Sequence, residues 1–176
     1  MKITLIRHTS VNVPPGICYG QTDVAVKASF PQEATQVNEN LEAHRPFDKV
    51  YCSPLTRAVK LATFCGYPDA EPDKRLLEMN MGDWEMQLYD EIKDPVIDEW
   101  YKDYIHTPTP HGESFVMQYQ RVSQFLDELR QQPYQRVAIF AHGGVLACAQ
   151  VYAGQATFAT AFTTLVPYGG IIEIEI

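Results

Sequence analysis

Two histidines stand where apolar runs break off. Ile3-Thr4-Leu5-Ile6 ends in Arg7-His8, and Val137-Ala138-Ile139-Phe140-Ala141 ends in His142, followed by Gly143-Gly144. Short apolar runs with such abrupt ends read as buried strands. In open α/β sheets, ligands gather at the carboxyl ends of strands, so both imidazoles are expected at one sheet edge with an arginine beside them. Arg57 and Glu78 fall at two further element boundaries, after Ser53-Pro54 and after Leu76-Leu77. Phosphoryl transfer needs a nucleophile, cations for the non-bridging oxygens and an acid for the leaving oxygen, and this set contains candidates for each. Arginine's planar fork pairs two phosphate oxygens at once. Helix starts near Ser53 and Gly143 would add oriented backbone N–H groups.

The elements that must carry these residues alternate between strand and helix. Ser29 with Gln32 resembles a capping box, opening a helix with Phe30, Ala34, Val37 and Leu41 on one face. Lys49-Val50-Tyr51-Cys52 reads as a second strand, Ser53-Pro54 as an N-cap with proline in the first turn, and Gly66 as that helix's stop. Leu76-Leu77 reads as another strand end. From Ser114, the apolar residues Phe115, Tyr119, Val122, Leu126 and Leu129 mark a long amphipathic helix, and Gly169 to Ile176 alternates like a half-exposed strand. Residues 86–111, rich in acidic and aromatic side chains, read as a helical excursion outside the sheet, either a lid or a plain surface helix. The expected architecture is one α/β domain over residues 1–176 with a largely parallel central sheet.

Composition restricts the partners. At 176 residues the chain supports one well-developed core. A net charge of -8 argues against general nucleic-acid or anionic-membrane binding. Any phosphate site must therefore rely on a few local cations. Cys18, Cys52, Cys65 and Cys148 lack metal-type spacing and read as buried free thiols of a reducing compartment. The first apolar stretch is short for a signal peptide, and nothing reaches membrane length; a cytoplasmic protein is expected.

Three segments carry a resemblance. Leu5-Ile6-Arg7-His8-Thr9, Ser53-Pro54-Leu55-Thr56-Arg57-Ala58 and Ala141-His142-Gly143-Gly144 resemble, in order, motifs of the histidine phosphatase superfamily, which includes the cofactor-dependent phosphoglycerate mutases. The resemblance implies a three-layer αβα sandwich with residues 86–111 as a small helical lid insertion. It implies that His8 is the nucleophile and becomes phosphohistidine, with Arg7, Arg57 and His142 holding the phosphate. Glu78 would protonate the leaving alkoxide and then help deprotonate the attacking water. Neither metal nor other cofactor is implied. The residues agree, since a neutral imidazole is nucleophilic and nearby arginines disfavour its protonation. Glu85 and Glu113 are the other acidic candidates.

Within the superfamily, Tyr19-Gly20-Gln21-Thr22-Asp23-Val24, the stretch Leu77 to Glu85, and Gly112-Glu113-Ser114 with Arg121 are similar to alpha-ribazole phosphatases. This implies a small phosphate ester as partner, alpha-ribazole 5'-phosphate, with Gln21, Thr22 and Gly143 as substrate contacts. The chain departs from the pattern at Met86 and His111, where glycines are usual, at Ala25 for proline, and at Pro14 for an asparagine. The alternatives are a mutase-like or broad-specificity sugar phosphatase, and a phosphate-binding module without turnover. A cysteine mechanism fits poorly, because the Cys52-to-Arg57 loop is one residue short and lacks glycine. Metal binding by His8, His142 and Glu78 lacks any short paired ligand spacing.

Overall fold

The computed structural model describes residues 1–163 and 165–176. Its centre is a five-stranded sheet ordered β3-β2-β4-β1-β5, with β1 Lys2–Arg7, β2 Lys49–Cys52, β3 Glu71–Pro72, β4 Arg136–Ala141 and β5 Ile171–Glu175. All neighbours run parallel except β5, which pairs antiparallel to β1. Side chains alternate across a strand, and both faces of this sheet are covered. Ile3, Leu5, Val137 and Ile139 pack against α4 (Phe115–Leu129) and α5 (Gly143–Tyr152), while Ile6, Ala138 and Phe140 pack against α1 (Phe30–Leu41) and α2 (Thr56–Phe64). The result is the three-layer α/β sandwich expected. Among the described residues, no helix is long and apolar enough to cross a membrane.

Helix ends follow local chemistry, and here several sequence expectations need correction. Ser29 does not form a capping box with Gln32. Its backbone is already helical (φ -72°, ψ 0°), whereas a capping residue needs extended backbone to aim its oxygen at the free N–H groups. Its hydroxyl donates instead to Glu33 (2.6 Å), which also accepts from the Ser10 N–H (2.8 Å). Ser53 does not cap α2 either. That helix begins at Thr56, whose N–H donates to the distant Asp23 carboxylate (2.9 Å). Gly66 does end α2, at φ +90°, with Tyr67 N–H donating to Ala62 (2.9 Å) and Gly66 N–H to Thr63 (3.1 Å), the paired bonds of a Schellman stop.

Leu76-Leu77 is not a strand end. The Asp73 carboxylate accepts from Arg75 N–H (2.8 Å) and winds Lys74–Leu76 into a 3₁₀ turn, so Glu78 issues from a loop. α4 begins after Ser114 as expected, and Ser114 caps it, accepting from Met117 N–H (3.4 Å). The 86–111 excursion is mostly turns, with one six-residue helix, α3 (Ile97–Lys102). It is anchored by aromatic contact, Trp100 meeting buried Trp84 edge to face at 5.6 Å.

The two departures from family glycines, Met86 and His111, are the two non-glycine residues with positive φ among the described residues, at 64° and 55°. The backbone there keeps a left-handed shape that a Cβ resists. Met86→Gly is therefore expected to stabilise the fold by about 1 kcal/mol, the relieved strain exceeding the added unfolded-state freedom. Urea unfolding midpoints measure this, and a midpoint that stays or falls refutes it. His111 gains less from the same change, because its imidazole also pairs with Asp83 (2.8 Å).

Candidate active site

Strand register brings the two histidines together. β1 pairs with β4 so that Arg7 lies opposite Ala141, and the next residues, His8 and His142, emerge side by side from adjacent parallel strands. Their ring centroids are 5.2 Å apart, edge to face. Both are buried. His8 Nδ1 lies 2.7 Å from the Thr9 carbonyl, which can only accept, so Nδ1 carries the proton and Nε2 keeps its lone pair. His142 Nε2 meets Ser53 Oγ at 2.7 Å. The serine expected as a helix cap is thus a histidine partner. In the tautomer that accepts from this hydroxyl at Nε2, the proton of His142 sits on Nδ1.

Both imidazoles are held neutral. Burial first, then the Arg57 charge, lower the His8 pKa from 6.5 to about 3. Burial, then Arg57 and His8, hold His142 well below its ordinary value. An unfolded chain protonates both near the ordinary value of about 6.5. Below that pH the unfolded state binds more protons than the folded one, so stability falls as the solution acidifies, a loss that for His8 is complete only near pH 3. The slope approaches about 1.4 kcal/mol per pH unit for each histidine. Denaturant unfolding at pH 7 and pH 5, above the main carboxylate range, reads this out. His8→Gln and His142→Gln should each flatten the dependence; a wild-type stability equal at both pH values contradicts it.

The guanidiniums close the cup. Arg57, at 0% exposure, donates from Nη1 to the Thr22 carbonyl (3.0 Å) and from Nη2 to Gly20 (2.6 Å). Gly20 must be glycine here, since a Cβ would lie 1.9 Å from the Met79 carbonyl. Arg7 donates to the Val166 carbonyl. Among the described residues, Arg7 Nε, Arg57 Nε and His142 Nδ1 are buried nitrogens with no hydrogen-bond partner. Buried donors are ordinarily satisfied, and three of them around His8 make a receptor for an anion. Two tyrosine rings lie over the cations: Tyr168 is 4.2 Å from the Arg7 guanidinium carbon and Tyr19 is 5.6 Å from that of Arg57, and their hydroxyls meet at 2.6 Å. The Tyr168 ring also reaches His8, at 5.5 Å.

Above lies a cavity of about 300 Å³ whose walls include Arg7, Glu78, Gln118, Gly143 and Gly144. Glu78 is steered from three sides. Met79 N–H (2.9 Å) and the Gln118 amide (2.9 Å) donate to one oxygen, and Gly144 N–H (3.2 Å) donates to the other. A Cβ on Gly144 would fall 2.4 Å from the Glu78 carboxylate, so the second glycine after His142 clears room for it. The other acidic candidates are committed to scaffolding. Glu85 accepts from the N–H groups of Gln21 (2.7 Å) and Thr22 (2.6 Å), and Glu113 takes Arg121 through both oxygens (2.7 and 2.9 Å). Arg121 in turn donates to the Glu78 carbonyl (2.9 Å) and so braces that loop.

The site therefore gathers Arg7, His8, Arg57, Glu78, His142 and Gly143. Gln21 reaches it through its amide, which donates to the Glu78 carbonyl (3.1 Å). The Thr22 hydroxyl points instead to Glu85, and its carbonyl serves Arg57. Sequence pattern alone does not single out Ser53, Gln118, Gly144, Tyr19 and Tyr168 for the site. A polar residue on the buried stripe of α4 was the one available signal, for Gln118. Cys52 is buried, its thiol facing the Ala70 carbonyl (3.7 Å) and its pKa raised by burial, so it offers no thiolate nucleophile.

An anion cup built on neutral imidazoles has the parts that phosphoryl transfer through histidine requires. Residues 3–176 match the histidine phosphatase superfamily, branch 1, and the chain belongs to that family. It is 30% identical over 155 residues to an adenosylcobalamin/alpha-ribazole phosphatase of Salmonella typhimurium, covering 83% of this chain and 76% of the relative. The crystal structure of the alpha-ribazole phosphatase from Shigella flexneri is similar at a TM-score of 0.88 and 28% identity, covering 100% of this chain and 91% of that one. A phosphoglycerate mutase from Thermus thermophilus shares the fold at a TM-score of 0.78 and 25% identity, covering 99% and 93%.

Proposed function

We propose that the protein is a phosphomonoesterase working through a phosphohistidine, and that its substrate is alpha-ribazole 5'-phosphate, released as alpha-ribazole and phosphate in cobalamin assembly. The observation that carries the mechanism is the 5.2 Å approach of His8 to His142 beside orphaned guanidinium nitrogens. His8 Nε2 attacks phosphorus, forming N–P as the ester P–O bond breaks. Arg7, Arg57, His142 and the Gly143 N–H at the start of α5 take the charge of the non-bridging oxygens. Glu78, protonated, gives its proton to the departing alkoxide. As a carboxylate it then takes a proton from water while that water's oxygen attacks phosphorus, and the N–P bond breaks to free His8. Gly143 belongs to the phosphate contacts; Gln21 and Thr22 act on the substrate side through the loop they form.

The substrate rests on the relatives' names and on the Tyr19–Val24 and Leu77–Glu85 segments. The chain reads as a single catalytic domain in which residues 86–111 serve as a lid, since Tyr89 borders the catalytic cavity. Four buried free thiols suit a cytoplasmic setting. Catalytic efficiencies for alpha-ribazole 5'-phosphate, 3-phosphoglycerate and phosphotyrosine test the assignment. A clear preference for the first supports it, and a preference for 3-phosphoglycerate with mutase product replaces it with the mutase-like alternative. Chelator-insensitive turnover of an aryl phosphate distinguishes an enzyme from a binding module.

A further inference from the structure

Gln118 is the polar member of the buried stripe of α4, on one helix face with Phe115 and Val122. Its exposure is 0%. An apolar residue would fill this place with no desolvation cost, whereas a buried amide needs partners at both ends. Gln118 has a partner at one end. Its Nε2 donates to Glu78 Oε1 (2.9 Å), while its own carbonyl oxygen is buried with no partner among the described residues. Turned the other way, the amide would set that carbonyl against the carboxylate, oxygen to oxygen. The protein thus leaves a buried acceptor bare to keep an N–H on Glu78, which costs stability and points to function.

On the reading of Glu78 as the general acid, we infer that Gln118 is a positioning residue that decides which of its oxygens carries the proton. Each carboxylate oxygen offers two lone pairs. Two donors occupy Oε1, the N–H groups of Met79 (2.9 Å) and Gln118 (2.9 Å), whereas Oε2 accepts a single, longer bond from Gly144 N–H (3.2 Å). A proton on Oε1 would meet two donors head on, so it goes to Oε2. That oxygen lies at the first turn of α5, beside Gly143, whose backbone sits so close to Arg7 that a Cβ would come within 3.1 Å of the guanidinium carbon. The proton therefore waits on the phosphate side of the carboxyl group. Oε2–H gives it to the ester oxygen as the P–O bond breaks, and the same oxygen later takes a proton from the attacking water. With Met79 alone on Oε1, one lone pair there stays open and the proton is shared between the two oxygens. Gln118 removes that choice.

The test uses Gln118→Met and Gln118→Leu, which approach its bulk without its hydrogen bonds, on ethyl phosphate and 4-nitrophenyl phosphate. The expected kcat/KM for ethyl phosphate falls about tenfold, and that for the aryl ester, whose leaving group needs no proton, falls less than about twofold. The ratio of the two, taken on one preparation, is unaffected by any loss of folded protein. In the Glu78→Gln protein, Gln118→Met should lower kcat/KM for ethyl phosphate no further, because it acts through that carboxyl group. The urea midpoint should hold or rise, since a bare buried carbonyl is removed. Equal losses on both esters, an undiminished loss in the Glu78→Gln protein, or a lowered midpoint with an unmoved ester ratio overturns the role of Gln118. Glu78 stays the acid in those cases if Glu78→Gln by itself still separates the two esters. Where Glu78→Gln lowers both alike, the acid reading fails and the role of Gln118 falls with it.

Discussion

His8→Ala is expected to reduce phosphate release by at least about 10³-fold, the scale seen when a covalent nucleophile is removed, while Cys52→Ser retains most activity. The contrast follows from position. His8 Nε2 keeps its lone pair because Nδ1 is engaged by Thr9, and its protonation is opposed down to about pH 3. Cys52 is buried with its thiol turned to Ala70. A rapid quench with labelled ester adds a direct readout. The unaltered protein should carry acid-labile label, as an N–P bond requires, and the His8→Ala protein none. Equal activity in the two variants, or label that persists without His8, removes the nucleophile assignment.

Glu78→Gln is expected to discriminate between leaving groups. With an alkyl phosphate the departing oxygen needs a proton, and kcat/KM should fall by about 10² to 10⁴-fold. With 4-nitrophenyl phosphate the phenolate leaves unaided, and kcat/KM, which reports steps up to formation of the phosphoenzyme, should fall by less than about tenfold. The turnover number of the aryl ester falls further than its kcat/KM, because water attack on the phosphohistidine also uses this carboxylate. A uniform loss in kcat/KM across both esters assigns the acid elsewhere. The amide keeps the size of the carboxyl group and can still accept from Met79 or Gly144, so the variant changes the chemistry with little disturbance of the packing against Gly144.

How much was legible in the sequence varied with the range of the forces involved. That His8 and His142 would meet could be read from two apolar runs ending in histidine, because buried strands of one sheet share an edge. The cores on both sheet faces were equally readable, since Ile3, Leu5 and Ile6 sort by period two. Cap chemistry misled where a distant partner competed. Ser53 looks like an N-cap by its neighbours, yet His142, far along the chain, holds its hydroxyl, and Asp23 performs the capping from another loop. Asp73 wound Leu76 into a 3₁₀ turn that apolar content alone suggested was a strand. Gln118 was hidden because a single polar residue in an amphipathic helix draws no notice until Glu78 lies beside it. The Tyr19–Tyr168 contact joins residues 149 positions apart, and no local pattern announces that.

That contact has a consequence for anion choice. With aromatic faces against Arg7 and Arg57, each cation already has a soft companion worth about 0.5 to 2 kcal/mol. A guest anion meets the in-plane N–H groups that have no partner among the described residues, while the rings keep to the faces. A singly charged or diffuse anion gains little there. A phosphate monoester dianion gains charge-assisted bonds to several buried donors at once. The tyrosine pair thus shields the two cations from bulk water, and in such a low-dielectric setting a dense phosphate dianion gains more from the buried donors than a diffuse, singly charged anion does.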